Sequence, residues 1–122
     1  MITKDKIPFI YENFNVEKAL EIINLKKLGT VITRDKKNNT TGILTDGDIK
    51  RLLHKFDDIK KLQVKDIIKE GPISVEKDLL AVKALKIMNE KKITSLCVHS
   101  KSKKNKTIGL IHIHNILDAN IK

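Results

Sequence analysis

Cysteine is almost absent from this chain: Cys97 stands alone among 122 residues. One thiol cannot close an internal disulfide, so a cross-linked secreted scaffold is excluded and a reducing, cytoplasmic setting is expected. Long apolar runs are also missing, as is a charged-then-apolar leader, so neither membrane spanning nor secretion is expected. Aromatic residues make up only 3% of the sequence, too few to build a platform on which unpaired bases stack. Arginine occurs only at positions 34 and 51. The forked guanidinium is the favoured reader of base edges, and the lysines behind the net charge of +10 are scattered rather than gathered in a stripe. Nucleic-acid binding is therefore not expected; it would show itself by a steep salt dependence.

What the chain does contain is a repeat. Gly42-Ile43-Leu44-Thr45-Asp46-Gly47-Asp48-Ile49 aligns with Gly109-Leu110-Ile111-His112-Ile113-His114-Asn115-Ile116. Upstream, Leu28-Gly29-Thr30-Val31-Ile32 aligns with Ile93-Thr94-Ser95-Leu96-Cys97, and Ala19, Leu20, Ile22 and Ile23 align with Ala84, Leu85, Ile87 and Met88. Each copy reads as an amphipathic helix, an apolar strand, a polar turn, a second apolar strand and a further helix. With 40% apolar residues the chain can fill a real core. Residues 1 to 6 read as a polar lead-in, 7 to 66 as the first copy with its connecting segment, and 67 to 122 as the second.

Within the first copy a helix capped by Asn15 is predicted to bury Val16, Ala19, Leu20 and Ile23 and to stop at Gly29. Strands at 30–33 and 42–45 flank a polar turn at 35–39, and a helix follows over 48–55. A short apolar helix at 64–68 ends at Glu70-Gly71-Pro72, whose Gly-Pro pair marks the entry into the second copy. There, a helix spans 80–89, and residues 100–106, with four lysines, read as a solvated loop.

Thr45-Asp46-Gly47-Asp48 is the segment richest in site chemistry. A hydroxyl, a glycine and free backbone N–H groups at the start of a helix suit a phosphate, and a carboxylate three residues after Thr45 suits the two hydroxyls of a ribose. The same residues also suit a plain helix cap, and spacing leaves both readings open. His112 and His114 alternate along a strand beside Cys97, which raises a metal reading; three convergent ligands are not demonstrated, and no metal is expected. No serine or cysteine sits in a motif that would activate it, so no catalytic residue is expected.

The arrangement of an apolar pair, Gly, two apolar residues, Thr, two spacers and Asp resembles the tandem CBS motif, a regulatory module for adenosine-type nucleotides. The segments Leu28-Gly29-Thr30-Val31-Ile32, Thr45 to Arg51, Lys92-Ile93-Thr94-Ser95-Leu96 and Gly109 to Leu117 are similar to the C-terminal CBS pair of the arabinose 5-phosphate isomerase family, which serves Kdo and capsule synthesis. The resemblance implies an α/β fold in which two CBS motifs, short strands flanked by helices, pack about a pseudo-twofold axis into one module. It implies no catalysis by this chain, whose sequence contains no sugar isomerase domain, but a fused or associated isomerase as partner. It further implies a homodimer, with Leu52, Leu53, Ile116 and Leu117 as candidate contacts, residues whose apolar character burial in the core explains equally well. No cofactor is required; AMP, ATP or a cytidine nucleotide bearing Kdo is the implied regulatory ligand. The implied nucleotide-binding residues are Thr30, Thr45, Asp46 and Asp48 in the first motif and Ser95, His112 and Asn115 in the second. Asn115 replaces the family's Asp and loses its negative charge, so the first motif is the stronger site.

Overall fold

The computed structural model describes residues 2–26, 28–55, 58–68, 74–79 and 81–113. Among these, seven strands and four α-helices follow in order: β1 (Ile2–Thr3), β2 (Phe9–Tyr11), α1 (Val16–Lys26), β3 (Thr30–Arg34), β4 (Thr40–Thr45), α2 (Asp46–Leu53), α3 (Val64–Ile67), β5 (Ser74–Glu76), α4 (Ala81–Lys91), β6 (Ser95–Ser100) and β7 (Lys103–His112). The chain divides into two compact α/β units, one spanning Lys6–Pro72 and the other made of Met1–Asp5 with Ile73–Lys122.

The first unit is built on a three-stranded sheet in the order β2-β3-β4. β2 runs parallel to β3, a pairing that needs a crossover, and α1 supplies it. Asn15 starts that helix, its Oδ1 accepting the Lys18 N–H at 3.0 Å. Val16, Ala19 and Ile23 then recur at helical spacing and bury one face against Ile10, Val31, Leu44 and Ile49. The helix ends at Lys26, and Gly29 turns the chain at φ +68°, a left-handed conformation that a Cβ would disfavour. The β3–β4 turn is held by Asp35, whose Oδ1 accepts the N–H groups of Lys37 and Asn39, both at 2.9 Å. Asn38 takes the left-handed position in that turn, at φ 65°. Ile59 and Val64 of the connecting segment complete the core. Thr33 is fully buried among these strands, and its hydroxyl is satisfied by that of Thr41 at 2.9 Å.

The second unit carries the order β1-β7-β6-β5, and its pairing repeats that of the first, residue by residue. Thr30↔Thr45, Val31↔Leu44 and Thr33↔Gly42 reappear as Ser95↔His112, Leu96↔Ile111 and Val98↔Gly109. The parallel pair Ile10↔Thr33 likewise reappears as Val75↔Val98. Its core of Val75, Ala84, Met88, Leu96 and Val98 occupies the positions of Ile10, Ala19, Ile23, Val31 and Thr33.

Three local readings change. The start of the chain is not a bare lead-in: Ile2 and Thr3 pair antiparallel with Leu110 and Gly109 as an added strand. Two residues are too few for any alternation to be legible in sequence. α2 begins at Asp46 rather than 48, because Thr45 and not Asp48 is its N-cap. The lysine-rich segment is mostly strand: Ser100 pairs with Lys103 across a tight turn, and the extra residues are absorbed by register shifts around His99. Lysines solvate as well from a strand as from a loop, and on a strand they discourage pairing with another chain.

Cys97 lies fully buried in β6. Burial pushes its thiol up from 9.0 to about 12, and a hydrogen bond with Thr107 opposes that only in part. Between those values the folded state keeps a proton that the unfolded chain has released. The stability this group contributes is therefore complete below about pH 9 and declines as pH rises towards 12. In urea unfolding, Cys97→Ala is expected to lose less stability than the wild type between about pH 8 and about pH 10.5.

Candidate functional site

β4 hands over to α2 at Thr45, whose extended backbone (φ −109°, ψ 163°) places it as the N-cap. Its Oγ1 accepts the Asp48 N–H at 3.1 Å, while Asp48 Oδ2 accepts the Thr45 N–H at 3.0 Å. This reciprocal pair satisfies two backbone donors that the helix start would otherwise leave open. Of the two readings that spacing left open, the cap is thus realised. Asp48 retains its second oxygen, Oδ1, which accepts from Arg51 Nη2 in an ion pair one helical turn on.

The neighbouring residues are set by the strand register. Thr30 sits opposite Thr45 and is buried, its hydroxyl donating to the Leu44 carbonyl at 3.3 Å. Asp46 is exposed in the first turn of α2, where a carboxylate complements the helix dipole, and its N–H donates to the Gly29 carbonyl at 3.0 Å. The four residues expected from the first motif therefore converge on one strand-to-helix junction.

Along the flank of α2 opens a cleft of about 460 Å³, within the range of small-ligand sites. Ile43, Leu44, Leu52, Ile67 and Ile68 supply its apolar lining, and Asp48, Arg51, His54 and Lys55 the polar part. Cationic groups thus outnumber the single carboxylate, a balance that favours an anion with an apolar body. Of these residues only Asp48 was read as a site residue from sequence. Arg51 was legible as an i,i+3 partner of Asp48. Ile68 was not, since it arrives from beyond α3 and only folding brings it to β4.

That arrival explains Gly42. A Cβ there would collide with Ile68 Cγ2 and lie 3.1 Å from Thr33 Oγ1. Gly42→Ala is accordingly expected to displace a residue of the cleft floor and to destabilise the chain by about 1–3 kcal/mol, read from the denaturant midpoint.

In the second unit Ser95 is buried opposite His112, and the Ile113 N–H donates to the Thr94 carbonyl at 2.7 Å, as Asp46 does to Gly29. Asn115 lies outside the described residues, as do His114, Ile116, Leu117 and the Gly71-Pro72 pair. Cys97 pairs with Leu110 and His112 with Ser95, so the register sets Cys97 and His112 diagonally on one face of the sheet, two positions out of register with each other. Among the described residues no group of three or more His, Cys, Asp or Glu could hold a metal ion. The raised Cys97 pKa also works against a thiolate nucleophile. One pair went unread in the sequence, Ser74 Oγ and His99 Nδ1 at 2.7 Å, joined across β5 and β6. Among the described residues no helix is long and apolar enough to cross a membrane.

The model of the CBS domain family matches residues 1–55 and 64–122. The chain is 32% identical over 121 residues to arabinose 5-phosphate isomerase KdsD of Escherichia coli K12, and 34% identical over 121 residues to the uncharacterized protein RP505 of Rickettsia prowazekii. Both matches cover 99% of this chain but only 36% of the relative, so the chain spans little more than a third of the length of these proteins. Among solved structures, CBSX2 in complex with AMP is similar with a TM-score of 0.84 at 22% identity, covering 99% of this chain and 92% of that one. The cytosolic domain of the Mg2+ channel MgtE in complex with ATP is similar with a TM-score of 0.75 at 18% identity, covering 97% of this chain and 46% of that one.

Proposed function

The chain belongs to the CBS domain family, carrying two CBS repeats, and we propose that it is a nucleotide-sensing regulatory module that acts on a fused or associated sugar isomerase domain. The observation that carries this reading is the cleft beside α2, where one carboxylate, Asp48, and two cationic side chains, Arg51 and Lys55, stand over an apolar floor. A base lies on Ile43 and Ile68, the ribose hydroxyls reach Asp48, and the phosphate meets Arg51 and Lys55. CBSX2 and MgtE, of similar fold, were solved with AMP and ATP, which supports an adenine nucleotide. The likeness to KdsD supports an arabinose 5-phosphate isomerase as the whole protein, and with it a cytidine nucleotide bearing Kdo as a second candidate ligand. Regulation then requires that the ligand bind one arrangement of the module better than another. The setting is cytoplasmic, and the module forms a homodimer to which Leu53, 54% exposed on α2, contributes while Leu52 stays packed on the core.

A second reading, a structural dimerisation module without a small ligand, is favoured by the capping box, which gives Thr45 and Asp48 a role that needs no nucleotide. Thermal unfolding with AMP, ATP and CMP-Kdo separates the two. A midpoint that rises with one nucleotide by mass action supports the sensor. No rise with any of them, in a folded dimer by sedimentation, supports the scaffold.

A further inference from the structure

Arg51 does more than line the cleft. Its Nη2 holds Asp48 Oδ1, the oxygen that the helix cap leaves over. Its guanidinium also folds back over the first turn of α2, with Nη1 only 3.5 Å from where a Cβ on Gly47 would stand. The arginine therefore covers the oxygen a ribose needs and lies against the first turn of α2, where the helix dipole favours a phosphate. The side chain is 71% exposed, and among the described residues its ion pair is with Asp48.

We propose that Arg51 is a specificity-determining gate, resting on the nucleotide reading above: a phosphate draws the guanidinium off Asp48, and only then is the carboxylate free to accept the ribose hydroxyls. A nucleotide provides the new partner for Arg51 as it enters. A nucleoside does not, and it must break the ion pair with nothing in return. The module thereby discriminates nucleotides from nucleosides of the same base by the coupling of two contacts and not by the phosphate contact alone. The gate belongs to the first repeat, since the aligned sequence positions in the second are Asn115 and Asp118.

The test compares Arg51→Met with the wild type, both as the 122-residue chain, by titration calorimetry and NMR titration with AMP and adenosine, and with CMP and cytidine. Removing the guanidinium is expected to weaken the nucleotide by about ten- to a hundredfold, through lost charge-assisted hydrogen bonds. It is expected to tighten the matching nucleoside by about two- to fivefold, the worth of an exposed ion pair no longer broken. Opposite signs for the two ligands are the signature of the gate. A nucleoside affinity that falls or stays the same, while the nucleotide weakens, overturns the gate and leaves a simple phosphate contact. Failure of the wild type to bind any nucleotide overturns the nucleotide reading itself, and the gate with it.

Discussion

Asp48→Ala is expected to abolish nucleotide-dependent stabilisation and, independently, to lower the stability of the unliganded chain by about 1–2 kcal/mol. The two losses have separate origins. The first follows from removing the carboxylate that faces the cleft. The second follows from the capping box, since the Thr45 N–H loses its acceptor at the start of α2. Thr45→Ala removes the other half of the box and is expected to cost a similar amount, about 1 kcal/mol. Asp48→Asn separates the origins: its amide oxygen still accepts the Thr45 N–H, while the charge that holds Arg51 is gone. Urea unfolding should place Asp48→Asn closer to the wild type than Asp48→Ala, and thermal shifts with nucleotide should place it with Asp48→Ala. A nucleotide shift that survives in both variants would remove Asp48 from the site and leave it a cap.

Leu44→Ala is expected to give the largest loss of stability, about 2–5 kcal/mol. Leu44 is 2% exposed, packs in the first core and also forms part of the cleft floor. Against a total of roughly 5–15 kcal/mol for a domain of ordinary stability, that is a large fraction. Ile111 holds the matching position in the second repeat, aligned by register, but is only half-buried. Ile111→Ala is therefore expected to cost less than Leu44→Ala. Equal midpoints for the two variants in urea would show that burial at this position does not set its contribution.

Much of the fold was readable because its signals are local. Helix periods at Val16, Ala19 and Ile23, the turn chemistry of Asp35 to Asn39, and the break at Gly29 each act within a few residues. The repeat added long-range information, since two segments with one pattern fold to one register, and Thr30↔Thr45 duly recurs as Ser95↔His112. What stayed illegible was short or non-local. The strand of Ile2 and Thr3 exists only because β7 offers an edge. The strand character of the lysine-rich segment depends on pairing with β6, which overrides a composition that otherwise suggests a loop.

The same division runs through the site. The sequence by itself determined the two-repeat α/β architecture and the residues that cluster at the β4–α2 junction, since hydrophobic period and capping chemistry are written along neighbouring positions. Only the tertiary structure decided how Asp48 divides its two oxygens between the Thr45 N–H and Arg51. It alone brought Ile68 over Gly42 to floor a cleft. The reason is physical: a helix cap is a choice among groups a few bonds apart, whereas a cavity is the space left over after distant segments have packed, and no single segment specifies it.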